Sequence, residues 1–221
     1  TLMLMYNQTY ENIDAGLIDG ANRISGFVWL DKNANGIYDV NENYLDSVIV
    51  NLYDTSGIIQ TTLTDTSGSY TFPNVLEGEY FLTFLPEDSS YISTFANIGS
   101  DENIDDDVTE SSIDLGTDTI HIVFFDTIDP ISAGFYQYVT IGDYTFIDID
   151  SNDIQSIDKG LNGVIVELLD TFGNVVSIDT STYFSPVDSG YYQFNSIIPG
   201  NYQVKFYRPL NYQFVEGSIG N

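Results

Sequence analysis

The chain has no cysteine, almost no positive charge, and no apolar run long enough to span a bilayer as a helix. Zero cysteine excludes disulfide staples, zinc–thiolate centres and thiol nucleophiles together. Five Lys and Arg stand against 33 Asp and Glu, a formal net charge of −28. That balance excludes nucleic acid and anionic membranes as electrostatic partners, and no direct membrane insertion is expected. A compact chain so charged repels itself unless the charges are spread or cations are bound, and divalent cations are the simplest compensation. There is one histidine, no Ser/His/Asp order and no phosphate loop, so no enzyme activity is predicted. Carboxylate pairs are everywhere at this acidity and carry no glycosidase signal without a cleft. The opening TLMLMY lacks the charged region and length of a signal peptide, so the chain reads as mature or partial.

What is present is enough to build cores: 221 residues, 43% hydrophobic and 14% aromatic, suggest one or two domains. The apolar pattern alternates with period two. SVIVNLYD (47–54), EYFLTF (79–84), TIHIVFF (119–125), GVIVELLD (163–170) and NYQVKF (201–206) are rich in β-branched and aromatic residues and are separated by turn formers. No amphipathic helix is predicted; short strands with frequent turns predict sandwiches.

The pattern also repeats. ISGFVWLD at 24–31 returns as IGDYTFID at 141–148, 117 positions later; LDSVIVNLYDTSG returns as LNGVIVELLDTFG, and SGSYTFPNVLEGEYFLTF as SGYYQFNSIIPGNYQVKF. The second copy stops at SIGN, short of the segment that closes the first. That closing segment has its own likeness at the front: residues 1–17, TLMLMYNQTYENIDAGL, align without a gap on residues 119–135, TIHIVFFDTIDPISAGF. The predicted organisation is an N-terminal strand segment, 1–20, a first sandwich, 21–139, and a second sandwich, 140–221, lacking its last strands.

These motifs resemble the SdrD B-like domains, relatives of Cna B-type modules that recur as calcium-binding stalk repeats in bacterial surface proteins. GFVWLDKNANGIYDVNE, the V-x-V-x-L-x-D-x-x-G strand, the D-x-x-G-x-Y-x-F turn, GSDENID and the closing AGF or AGL carry the likeness over nearly the whole chain. It implies an all-β fold of two tandem Ig-like or prealbumin-like Greek-key β-sandwiches, with the N-terminal strand segment belonging to a neighbouring domain. It also implies a cell-surface or extracellular location.

Within DKNANGIYDVNE, Asp31, Asn33, Asn35, Ile37, Asp39 and Glu42 fall at positions 1, 3, 5, 7, 9 and 12 of an EF-hand-like loop. Gly36 falls at the sixth position, where the chain must turn sharply. Ca²⁺ is a hard cation that takes oxygen ligands, so the side chains of 31, 33, 35 and 42 and the carbonyl of Ile37 are the predicted donors, with Asp39 acting directly or through water. A plain polar turn between strands has no need of the terminal Glu. In the second copy Asp148, Asp150 and Asn152 keep the first three ligand positions and Ile154 offers a carbonyl. Asp153 replaces the glycine and the loop is one residue shorter, leaving Asp158 in place of Glu42. The family resemblance implies a further site joining Asp65 to Asp101, Asn103 and Asp105; the alternative is a solvated acidic loop. Some Cna B-type relatives carry Lys–Asn isopeptides, but Lys32 and Lys159 lie in the metal loops and only Lys205 in a strand, so none is expected.

His121 alternates with Ile120 and Ile122 and is expected to face solvent, whereas Trp29 is expected in a core. Asn7-Gln8-Thr9 is a sequon, which makes Asn7 a candidate glycosylation site; Ser and Thr could carry O-linked sugar. Two structural readings follow. In one, the chain is a fibre subunit whose Leu2, Leu4 and Tyr6 enter the open second sandwich of another copy, a head-to-tail joint that makes filaments. In the other, it is a window of a longer tandem-repeat adhesin. An open sandwich exposes apolar core and unpaired edges, which argues for the first. A carbohydrate-binding β-sandwich is a third reading.

Overall fold

The computed structural model describes residues 22–101, 103–110, 115–123, 128, 130–152, 155, 158–184 and 189–214. The assembly candidates Leu2, Leu4 and Tyr6, the sequon at Asn7 and the carbonyl candidate Ile154 lie outside them. The described residues are all-β, without a helix.

In the first copy, the strand Asn22–Leu30 is the spine of one sheet. Its first half pairs antiparallel with Ser69–Val75, and its last three residues pair parallel with Ala133–Tyr136 in the register Val28–Ala133, Trp29–Gly134 and Leu30–Phe135. The facing sheet is built on Ile49–Asp54, held between Gly57–Leu63 and Gly78–Leu85. Ile120–Ile122 and Leu115–Thr117 extend it along Gly78–Leu85. Alternation decides what goes inside. Ile24 and Val28 of the first sheet, with Tyr70 and Phe72, meet Val50, Leu52, Leu82 and Phe84 of the second in one buried core. Each large side chain so buried contributes about 1.5–3 kcal/mol before ordering costs. His121 points outward beside Glu79, 3.5 Å away, as its place between two isoleucines predicts.

The second copy repeats these devices at the level of single bonds. Val139–Tyr144 pairs with Tyr191–Ile197, and Ile165–Leu169 lies between Val175–Thr180 and Gln203–Phe206. A register shift in the Asn22–Leu30 pairing, with Asn74 at a φ of 56°, recurs in the Val139–Tyr144 pairing, with Ser196 at 55°. Buried Thr64 accepts the Val48 N–H and donates to the Leu45 carbonyl; buried Ser181 accepts the Val164 N–H and donates to the Leu161 carbonyl. Tyr80 and Tyr202 each donate to the carbonyl four residues back, Leu76 and Ile198. The core is smaller: Val164, Val166, Leu168, Tyr192, Phe194 and Ile197. Among the described residues, this copy has no counterpart of Ala133–Tyr136 or Ile120–Ile122.

Candidate metal centre

The strand Asn22–Leu30 delivers Asp31 to the lip of the first sheet, where the pairing with Asn43–Tyr44 forces the intervening chain into a closed loop. The turn needs left-handed backbone at Ala34 (φ 52°) and Gly36 (φ 80°). A Cβ on Gly36 would sit 2.3 Å from the Phe95 carbonyl oxygen, so the sixth position admits only glycine. Asp31 is fully buried. Its Oδ1 accepts the Asn35 N–H (3.2 Å), and its Oδ2 accepts the Gly36 N–H (2.8 Å) and the Thr94 hydroxyl (2.6 Å). Glu42 reaches back across the loop: Oε1 accepts the Lys32 N–H (2.7 Å) and Oε2 the Asp39 N–H (3.0 Å). Burial raises the Glu42 carboxyl above its ordinary range; those two backbone donors oppose the shift, and the charges of Asp31 and Asp39 add to it. The side-chain amides of Asn33 and Asn35 both donate to Asp39 Oδ2, at 2.9 and 3.1 Å. The side chains of Asn33, Asn35 and Asp39 thus meet one another, while Asp31 and Glu42 brace the loop's backbone from its two ends.

A second acidic segment closes over this loop. Ile37 bridges to Asp105, the Tyr38 N–H donates to the Ile104 carbonyl (2.7 Å), and the Asp106 N–H donates to that of Gly36 (3.2 Å). Asp105 and Asp106 are both buried. The Asp106 carboxylate takes N–H donors from Val108 (3.1 Å) and Gly134 (3.3 Å), and burial, aided by the charge of Asp107, pushes its pKa up to about 8. Asp107 accepts the Ser132 N–H at 2.7 Å. The run therefore ties the loop to the closing Ala133–Tyr136 strand. Asp65 and Asp101 are engaged elsewhere. Asp65 is exposed and spends its carboxylate on its own turn, accepting from Ser67 and Ser69, and Ser67 holds its pKa low. Asp101 accepts from Asn103, which lowers its pKa likewise. Of the set implied by resemblance, Asp105 packs against the first loop.

Thr94 and Asp106 were not singled out from the sequence. Asp106 carried a signal as the middle of three consecutive aspartates; Thr94 carried none, because only the fold brings it 63 positions along the chain to Asp31.

The outer face of the same strand is covered by aromatic rings from the loop. Trp29 is fully buried, as expected, but outside the main core: it lies among Phe27, Tyr38, Thr94 and Gly134. A Cβ on Gly134 would fall 2.6 Å from the indole, which accounts for the glycine of the AGF motif. Tyr38 stacks on Tyr44 with centroids 5.1 Å apart, and the hydrogen bond between their hydroxyls, with burial, pushes the Tyr38 pKa up to about 12.

The second loop is built on the same plan. Phe146–Ile147 pairs with Lys159–Gly160, Ser151 takes the left-handed conformation that Ala34 has, and the Asn152 N–H donates to Asp148 Oδ1 as that of Asn35 does to Asp31. The Ile149 N–H donates to Asp158 Oδ1 at 3.0 Å, matching the bond from Lys32 to Glu42. The shorter loop lets the shorter acid do the same closing. Asn152 also donates to Asp150 at 2.9 Å. Carboxylate oxygens of Asp148, Asp150 and Asp158 lie within 4.8 Å of one another. Asp158 Oδ2 is buried without a hydrogen-bond partner. Oxygens around an ion at 2.3–2.6 Å span at most about 5.2 Å, so this cluster can hold a cation, and its carboxylates repel one another without one.

The chain is a tandem pair of β-sandwich repeat modules, each with an acidic loop following its opening strands. The sequence profile of the SdrD B-like domain matches residues 22–129 and again residues 139–221, and the chain belongs to this non-enzymatic family. It is 34% identical to serine-aspartate repeat-containing protein F of Staphylococcus epidermidis over 216 residues, covering 96% of this chain and 12% of that protein. It is 31% identical to serine-aspartate repeat-containing protein D of Staphylococcus aureus (strain Newman) over 195 residues, 86% of this chain and 14% of that one. The chain resembles the B-repeat region of these surface adhesins, and this kinship assigns it to the cell surface. Among solved structures, the Bacillus anthracis TIE protein aligns with a TM-score of 0.39 at 12% identity, over 90% of this chain and 30% of its own. The shaft pilin SpaA of Lactobacillus rhamnosus GG aligns at 0.34 and 11%, over 82% and 77%.

Proposed function

We propose that this chain is a stretch of the repeat region of a surface adhesin, a load-bearing spacer whose sandwiches are stiffened by calcium in the 31–42 and 148–158 loops. The observation that carries this reading is that both loops close by the same two backbone bonds around oxygen-only donor sets. Oxygen donors without nitrogen or sulfur suit Ca²⁺ rather than zinc, and a loop of mixed carboxylate, amide and carbonyl donors suits its flexible coordination. Asp31, Asn33, Asn35, the Ile37 carbonyl, Asp39 and Glu42 would hold one ion, and Asp148, Asp150, Asn152 and Asp158 the other. A bound ion offsets the repulsion among buried carboxylates that have little positive charge to meet in this chain.

The topology supports the mechanical part. The first and last strands of the first sandwich, Asn22–Leu30 and Ala133–Tyr136, pair in parallel. Tension applied at the two ends of this domain drives these strands past each other, so their ladder bonds must break together rather than one at a time. The loop sits at that joint, where the Asp31 N–H donates to the Phe135 carbonyl at 2.8 Å. An ion that fixes Asp31 therefore braces the strands that carry the load.

Matches that span 12% and 14% of much longer relatives favour the tandem-repeat reading over the head-to-tail fibre. Thermal melts with calcium and with a chelator, alongside solution scattering, test the proposal. Chelation is expected to lower the melting temperature and increase flexibility, with calcium restoring both. Identical melts in the two buffers would sink it.

A further inference from the structure

We propose that Tyr38 and Tyr44 form an oxidative cross-linking site, at which a haem peroxidase with hydrogen peroxide joins the two rings as dityrosine. The rings are nearly parallel, 16° apart in plane, with centroids at 5.1 Å. Two radicals formed on rings held so close meet without having to diffuse together. Tyr44 is 43% exposed and open to an external oxidant. Other tyrosine pairs are less suited: Tyr136 and Tyr138 meet edge-on at 83°, and Tyr144 and Tyr191 are tilted at 58°.

Composition directs oxidation to tyrosine, and stacking favours coupling at this pair. With no cysteine, two methionines and one tryptophan against 17 tyrosines, phenols are the main sink for one-electron oxidants. Trp29, 6.3 Å from Tyr38, offers no competing trap. Its indole N–H is buried without an acceptor, so an oxidised Trp29 has nowhere to send its proton and draws an electron from Tyr38 instead.

The reaction balances without further reagents. Each phenol gives one electron and one proton to the peroxidase, and hydrogen peroxide is reduced to two waters. The two phenoxyl radicals form one carbon–carbon bond between ortho positions, and each ring then moves its ortho hydrogen to oxygen and becomes a phenol again. The product is a covalent strap across the 31–42 loop. This inference goes beyond the calcium reading and does not depend on it.

The test treats the full chain with peroxidase and peroxide in calcium buffer, isolates the monomer, and cleaves after Asp39 and Glu42, between the two tyrosines. Fragments carrying Tyr38 and Tyr44 are expected to stay joined, lighter by two hydrogens and showing dityrosine emission. Tyr44→Phe should abolish the joined product while melting like the parent, and Tyr136→Phe should leave it intact. Separate 38 and 44 fragments from oxidised monomer, or a joined product persisting in Tyr44→Phe, would overturn the proposal.

Discussion

The two sandwiches share a plan and differ in how it is finished. The first encloses its core between five- and six-stranded sheets, and Ala133–Tyr136 closes over Trp29; the second has two- and three-stranded sheets among the described residues. Where Trp29 is fully buried, its counterpart Phe146 is half-buried. The acidic loops differ in the opposite sense. The first satisfies its buried carboxylates largely with backbone and side-chain donors, while the second gathers three carboxylates and leaves Asp158 Oδ2 without one. Strand pairing and loop chemistry are thus separable: the same loop scaffold forms on an extensive sheet and on a small one.

Core truncation should expose the difference most strongly. Phe72→Ala and Phe194→Ala each remove a ring from a fully buried site, at a cost of about 3–5 kcal/mol. In calorimetry of the full chain, the first is expected to lower one transition and the second to abolish the other, because six buried residues leave little reserve. Two transitions falling by equal amounts would mean that the smaller core is not the weaker one.

Calcium comes next. At a hundredfold excess over Kd, an ion bound only to the folded state stabilises it by about 2.7 kcal/mol. Chelator should lower both transitions. Asp31→Ala should remove only the first domain's response, and Asp158→Ala only the second's. If either variant silences both, the loops are coupled and the independence argued above is wrong.

A smaller effect tests the shared hydroxyl clip. Replacing Thr64 with Val, or Ser181 with Ala, leaves a buried N–H and a carbonyl without their side-chain partner, at about 1–3 kcal/mol. Matching losses in the two domains, read from urea midpoints, are the expected result.

The last comparison is with pH. Asp106 is raised by burial to about 8, so the folded state holds a proton that the unfolded state releases near the ordinary Asp value. Without calcium, its contribution is complete below that value and is lost as pH rises toward 8. Asp106→Asn should flatten this fall in the first domain's transition and leave the second's unchanged. Aspartates with lowered pKa, such as Asp54, Asp65 and Asp170, act only at the acid end, where stability falls as they protonate.

Much of the architecture was legible in the chain. Val50, Leu52, Val166 and Leu168 alternate with outward residues because a pleated strand has a side-chain period of two, and the repeat carries that pattern into both copies. The loop at 31–42 was legible because its ligand positions are a matter of local spacing. The 148–158 loop was legible in part: the replacements for Gly36 and Glu42 can be read off the chain, but that Asp158 closes the loop by the same backbone bond appears only in the fold. Acidic spacing alone could not say where residues 101–107 dock, since Asp65 and the 31–42 loop are both far away along the chain.

Sequence by itself determined the β class and the acidic loops with their oxygen-bearing residues, since each depends on residue type and on separations of a dozen positions or fewer, and it determined the duplication, which needs only a comparison of the chain with itself. Tertiary structure alone decided that Thr94 donates to Asp31, that Asp106 is buried beneath Gly134, and that Trp29 lies under the loop rather than between the sheets. Those outcomes depend on which distant strands pair and on what they remove from water. A parallel pairing between residues 28–30 and 133–135 involves more than a hundred intervening positions, and the burial that shifts a carboxyl or seals an indole exists only once that pairing has formed.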